Sequence, residues 1–308
     1  MQLTNRRVRL MGTVIDVSIY HEEPEPLLDQ VEALLHTYNK RFSANDDSSE
    51  LMKINKAAGL HPVKVHPELF ELITLGKWHS CQPGSHLNIA IGPLIQTWRI
   101  GFSDARLPFP EEITLLLDII NPNAIVLSEE NQSVFLKEKG MKIDLGALAK
   151  GYIADRIADF LKAEKVTSAL INLGGNVLTF GPALHNPDKK WRIGIQNPVE
   201  KRGQHLLVLS VKDKSVVTSG IYERHLEVDG QSFHHIFDSA TGYPVETDLA
   251  SITIISDRSV DGEIWTTRLF GESPASILNT VESLPGIDTL LVSQSGKIAY
   301  TSGLQSYL

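Results

Sequence analysis

A single cysteine, Cys81, leaves no partner for an intrachain disulfide and excludes a cysteine-rich metal cluster. Positive charge is also in deficit: 29 Lys and Arg stand against 37 Asp and Glu, a formal net charge of −8. A nucleic-acid binder needs a basic face to neutralise phosphates, so that class is set aside, though a local basic cluster can still hold a small anion. No apolar run approaches the ~20 residues of a membrane span. The chain opens Met1-Gln2-Leu3-Thr4-Asn5-Arg6-Arg7 and passes straight into an alternating segment. It shows neither the apolar stretch of a signal peptide nor a nearby cysteine to carry a lipid, so the expected location is the cytoplasm. No fixed-period repeat or low-complexity tract breaks the chain, and residues 1–308 are read as a single domain of ordinary globular composition.

The apolar patterning then sets the elements. Val8, Leu10, Val14, Val17 and Ile19 predict a strand running to about Tyr20. Leu27, Leu28, Val31, Leu34, Leu35 and Tyr38 recur at helical spacing behind a Glu-Pro start. A polar loop over 43–49 precedes a short helix near Leu51, and Pro67 opens another helix; residues 83–101 read as a Gly/Pro-punctuated loop. The second half is richer in strands. A hairpin is predicted between 125–127 and 134–137, a strand-to-helix passage over 143–155, and strands at 169–173, 206–211, 216–217, 252–255 and 290–292. Residues 226–237 read as a hairpin folded at Asp229-Gly230, a dipeptide suited to positive φ. Strands and helices do not alternate regularly, so the predicted class is α+β, with mixed or antiparallel sheets and packed helices, and not a doubly wound sheet.

Four segments offer chemistry. In IDLGALAKGYIAD (143–155) an acid and small residues fall where a helix begins, and helix N-termini present unpaired N–H groups to anions. Lys150-Gly151 reads equally as a solvated charge beside a packing glycine; the glycine spacing of a P-loop is missing. In INLGGNVLTFG (171–181), Gly174-Gly175 is either a plain turn at a strand end or a place where backbone approaches a flat or phosphorylated ligand. Residues 216–245 concentrate Thr218, Ser219, Tyr222, Glu223, Arg224, His234, His235 and Asp238. Adjacent strand residues face opposite ways, so at most one of His234 and His235 faces a given pocket; one can be a structural histidine and the other a proton carrier. In VDGEIWTTRLFG (260–271), Glu263 and Thr267 share one face of a helix. A carboxylate and a hydroxyl, with backbone carbonyls, make an all-oxygen set suited to Mg²⁺ or Ca²⁺ and not to zinc.

Taken together and in this order, the segments resemble the ApbE family, the FAD:protein FMN transferases, from Met11-Gly12-Thr13 to Phe270-Gly271. Further matches are Ser49 to Asn55, Gly92 to Trp98 and Trp191 to Pro198. The resemblance implies a two-lobed fold with an FAD cleft between the lobes, a Mg²⁺ ion, and transfer of FMN to a Thr or Ser of a target flavoprotein with release of AMP. It implies that Met11, Asp144, Lys150, Gly174 and Gly175 lie along FAD. The ion would be held by Glu263, Thr267 and the carbonyl of Ala147, and His235 would be the base. The chain departs from the family pattern at Glu263, where an Asp is usual. His86-Leu87-Asn88 stands where the family carries Ala-Phe-Asp at the cofactor, and Asn45 replaces an aromatic. A lipoprotein start is missing too, which points to a cytoplasmic client. Two other readings use the same pocket: a metal-dependent FAD pyrophosphatase with water as acceptor, and a non-catalytic FAD-binding protein.

Overall fold

The computed structural model describes residues 2–308. Its strands are β1 (Leu3–Leu10), β2 (Thr13–Tyr20), β3 (Val63–Lys64), β4 (Ile125–Ser128), β5 (Ser133–Leu136), β6 (Ala169–Leu173), β7 (Asn176–Phe180), β8 (Trp191–Gln196), β9 (His205–Val211), β10 (Ser215–Gly220), β11 (His225–Val228), β12 (Gln231–His234), β13 (Leu249–Ser256), β14 (Asp288–Ser293) and β15 (Ile298–Tyr300). Its helices are α1 (Pro24–Phe42), α2 (Glu50–Lys56), α3 (Pro67–Ser80), α4 (Gly92–Trp98), α5 (Pro110–Leu117), α6 (Ala149–Ala163), α7 (Ser259–Leu269) and α8 (Pro274–Glu282). Eight strands form one antiparallel sheet in the order β1-β2-β6-β7-β10-β13-β14-β15. A three-stranded sheet, β3-β5-β4, and the hairpins β8-β9 and β11-β12 complete the α+β architecture. Among the described residues, no helix is long and apolar enough to cross a membrane.

Alternation along the central strands explains how the large sheet is covered on both sides. On β10, Val216 joins the cluster built by the β8-β9 hairpin with Trp191, Ile193, Ile195, Leu209 and Val211. Its neighbour Val217 points the other way, against α7 at Gly262. Helices α6 and α7 lie on that second face and on each other, and α6 buries Ile153, Ile157 and Leu161 in the main core. All eight residues of β13 are buried, as expected for a strand covered on both faces.

The structure corrects four sequence expectations. The predicted strand through residues 8–20 is a hairpin: Met11 (φ 55°) and Gly12 (φ 71°) form a two-residue turn pairing Leu10 with Thr13. Two successive positive φ angles suit the right-handed twist of the flanking strands, and a methionine at the first position hid the turn. Residues 83–101 contain α4, which Pro93 starts and which buries Trp98, its indole N–H donating to the Gly242 carbonyl at 3.0 Å. The strand expected to lead into α6 is absent; Asn55 instead bonds both backbone groups of Ile143, at 2.7 and 3.0 Å, as a neighbouring strand would. The hairpin at Asp229-Gly230 ends at His234, not at Phe237, so His235 lies just past the strand.

Candidate active site

The junction of α6 and α7 gathers the polar side chains that an apolar core would otherwise exclude. Gly151 lets the helices touch: a Cβ there would sit 2.6 Å from the Ser259 carbonyl oxygen and 2.8 Å from Glu263 Cγ. At that crossing Glu263, 4% exposed, accepts from Lys150 Nζ and Asn176 Nδ2, both at 2.9 Å on Oε1. Asn176 is held in turn by the Ser259 hydroxyl, which donates to its Oδ1 at 2.5 Å. One helical turn beyond Gly151, Asp155 accepts from the backbone N–H groups of Ser259 (2.7 Å) and Val260 (3.0 Å). It caps α7, which has no side-chain cap of its own. Burial pushes the Asp155 carboxyl up to about 6, against the lowering by those two N–H groups and by Arg258.

The two histidines differ in their partners. His234 uses both ring nitrogens within the fold, Nε2 to the Val245 carbonyl at 2.9 Å and Nδ1 from the Ile236 N–H at 3.2 Å. His235 places Nδ1 3.2 Å from the Arg224 carbonyl, which assigns the proton to Nδ1 and leaves Nε2 as a free acceptor. Its imidazole is held down to about 4, chiefly by burial and in smaller part by the charges of Arg224, His234 and Lys150, against the raising effect of the Arg224 carbonyl bond. Lys150 is the weakest of the charges that act on His235. Arg224 acts on Asp144 as well. Its carboxylate accepts from the Gly146 N–H at 2.7 Å, and burial raises it while Arg224 opposes the rise.

The remaining sequence candidates fall in three places. The Met11-Gly12 turn meets the Gly174-Gly175 turn, where a Cβ on Gly174 would lie 2.2 Å from Thr13 Oγ1. A cleft of about 650 Å³ opens there, lined by Arg9, Gly12, Thr13, Gly174, Gly175 and Arg202 among others. His86 and Asn88 line a second cleft of about 480 Å³ with Asp238, Ser239 and Glu272. Asn88 is engaged within the fold: its amide donates to the Ile120 carbonyl (2.8 Å) and Ser239 Oγ (3.2 Å), and its Oδ1 accepts from Ala90 N–H (2.8 Å). Leu87 is a core residue, 2% exposed. The structure thus brings Lys150 and Glu263 together directly, sets His235 against the Arg224 carbonyl, and places the 86–88 triplet at the C-terminal end of α7, where the His86 N–H donates to the Arg268 carbonyl at 3.2 Å.

Sequence reasoning assigned no role to Asn176, Asp155, Ser259 or the Arg224 carbonyl. Two carried a readable signal: Asp155 falls on the Gly151 stripe of an amphipathic helix, and Asn176 opens a strand that is otherwise apolar but for one Thr. The all-oxygen ion set can be tested on hydrogen-bond accounting. Glu263 Oε2, Thr267 Oγ1 and the Ala147 carbonyl accept no hydrogen bond among the described residues. Three unpartnered oxygens, one anionic, have the donor chemistry of a hard divalent ion.

Comparison with known proteins agrees with this architecture. Residues 11–291 match the ApbE family. A Klebsiella pneumoniae protein named FAD:protein FMN transferase is 41% identical over 95% of this chain and 90% of its own length. A Treponema pallidum protein of the same name is 33% identical over 97% and 87%. The crystal structure of the ApbE protein from Thermotoga maritima superposes with a TM-score of 0.91 at 25% identity, covering 99% of each chain. The flavin transferase ApbE from Vibrio cholerae superposes at 0.86, covering 100% of this chain and 99% of its own, and at 22% identity that likeness concerns the fold. With most of its length matched and two relatives above 30% identity, the chain belongs to the ApbE family.

Proposed function

We propose that this chain transfers the FMN half of FAD to a Ser or Thr hydroxyl of a target flavoprotein, using Mg²⁺ and releasing AMP. The carrying observation is a buried, cation-linked carboxylate cluster in a chain that also holds a histidine whose Nε2 has no hydrogen-bond partner among the described residues. The names of the full-length relatives support the same reading. In the reaction the acceptor hydroxyl attacks the phosphorus of the FMN half. A new P–O bond forms, the pyrophosphate P–O–P bond breaks, and AMP departs. His235 Nε2 takes the hydroxyl proton; its Nδ1–H, fixed on the Arg224 carbonyl, keeps the ring in the accepting tautomer.

The charge that FAD brings must be met in a chain of net charge −8. Lys150 and Arg224 are the cations whose charge acts on the base. Glu263, Thr267 and the Ala147 carbonyl would hold the Mg²⁺ ion, which supplies neutralisation of phosphate oxygens when bound. Lys150 keeps Glu263 oriented, and Asn176 braces the same oxygen, so Oε2 is the one left for a ligand. The test is incubation with FAD and Mg²⁺, with and without a candidate acceptor flavoprotein. Covalent FMN on the acceptor supports transfer. Free FMN and AMP with an unmodified acceptor mean hydrolysis, and intact FAD under every ion means binding alone.

A further inference from the structure

Helix α7 carries Glu263 and Thr267, yet its own sequence does little to fix where it starts. Its N-cap residue, Arg258, makes no side-chain capping bond. The cap comes from α6, through the two backbone N–H groups that Asp155 accepts. On α6, Asp155 lies four residues after Gly151 and five after Lys150, so one helix carries the cap, the contact glycine and the cation. On α7 the matching groups are Ser259, Val260 and Glu263. Between them Ser259 does double duty: its N–H goes to Asp155 and its hydroxyl to Asn176, which itself reaches Glu263.

We propose that Asp155 is the positioning residue of this site: by holding the first turn of α7 against α6, it sets where Glu263 stands relative to Lys150 and Asn176. The inference rests on the proposed function for what Lys150 and Glu263 serve, but the placement itself is a property of the free protein. The geometry has two stops. Contact at Gly151 prevents the helices from closing further, and the Asp155 clamp prevents them from parting or sliding. Neither stop touches substrate. A neutral isostere keeps the volume of Asp155 and one accepting oxygen, but turns an N–H donor toward a backbone N–H.

Asp155→Asn separates this role from a merely structural one. Three readouts are taken well below the melting temperature: hydrogen exchange of the peptide covering the first turn of α7, the half-saturating Mg²⁺ concentration for transfer, and kcat against KM for the acceptor. Val211→Ala, in the β8-β9 cluster that holds no residue of α6 or α7, serves as a destabilised control. The expected result for Asp155→Asn is faster exchange at Ser259 and Val260, a Mg²⁺ requirement raised at least roughly tenfold, and a fall in kcat with acceptor KM unchanged. The control should leave all three as in the parent. Parental exchange in α7, or a Mg²⁺ requirement no different from the control, overturns the proposal. If the parent protein transfers no FMN, the proposed function fails, while exchange in α7 still decides whether Asp155 holds the helix.

Discussion

Gly151→Ala adds one methyl group at the point where α6 and α7 touch, and the structure gives the size of the collision. The new carbon would lie 2.6 Å from the Ser259 oxygen, 2.7 Å from Val260 Cα and 2.8 Å from Glu263 Cγ. Carbon contacts settle near ~3.5 Å, so α7 must retreat by about 0.8 Å. Two of the three neighbours are backbone, which cannot swing aside. Overpacking of this kind costs about 1–3 kcal/mol, and replacing a helical Gly by Ala returns about 1 kcal/mol, so the net loss of stability is about 0–2 kcal/mol. The retreat also stretches the 2.9 Å contacts of Glu263 with Lys150 and Asn176 toward ~3.7 Å, beyond hydrogen-bond reach. A misplacement near 1 Å can cost on the order of 100-fold in rate. The expected outcome is a Tm within about 5 °C of the parent and a transfer rate at least ~30-fold lower, read by thermal melting and by in-gel flavin fluorescence of an acceptor. A variant that is more stable and transfers FMN at the parental rate refutes the reasoning, because the methyl group would then fit without moving α7.

His235→Ala should bind FAD with affinity close to the parent's yet slow transfer by roughly 100-fold or more, measured by flavin fluorescence titration and single-turnover transfer. The base works only when neutral, so activity is lost as pH falls. Asp155, pushed up to about 6, sets the first acid limb of kcat/KM, and Asp155→Asn should remove it and expose the His235 limb near 4. A single limb at the ordinary histidine value in both proteins contradicts this. The stability sign runs the other way for Asp155: its folded carboxyl titrates above an unfolded one, so its contribution is full below about pH 4 and is lost as pH rises through about 6. Denaturant melts at pH 4.5 and 7.5 should therefore show Asp155→Asn losing less stability relative to the parent at the higher pH. Glu263→Gln should raise the Mg²⁺ requirement at least roughly tenfold while the protein stays folded, and an unaltered Mg²⁺ dependence removes Glu263 from the ion site.

Periodicity recovered the elements whose burial is one-sided. The α1 stripe, the strand at 169–173 and the Asp229-Gly230 turn all stand where the patterning put them. It failed where a long-range partner replaces a local signal. Ile143 looks like a strand residue because it is buried and extended, but its backbone partner is the side chain of Asn55, 88 positions away. The Met11-Gly12 turn leaves no signal in the sequence because methionine rarely takes positive φ, and its neighbour Thr13 packs against Gly174 from a distant segment. At the site, the charged residues Lys150, Glu263 and Asp144 are named from the sequence. The ones it left unassigned, Asp155, Ser259 and Asn176, act through hydrogen bonds between elements, and spacing along one element cannot reveal such bonds.

The central claim, FMN transfer with His235 as base, is tested most directly by intact-mass and peptide mass spectrometry of a flavoprotein encoded beside this gene, co-expressed with the parent chain or with His235→Ala. The expected result is an FMN phosphoester on a single Ser or Thr of that flavoprotein with the parent chain and none with His235→Ala. Equal modification by both proteins, or free FMN and AMP accumulating beside an unmodified acceptor, would contradict it.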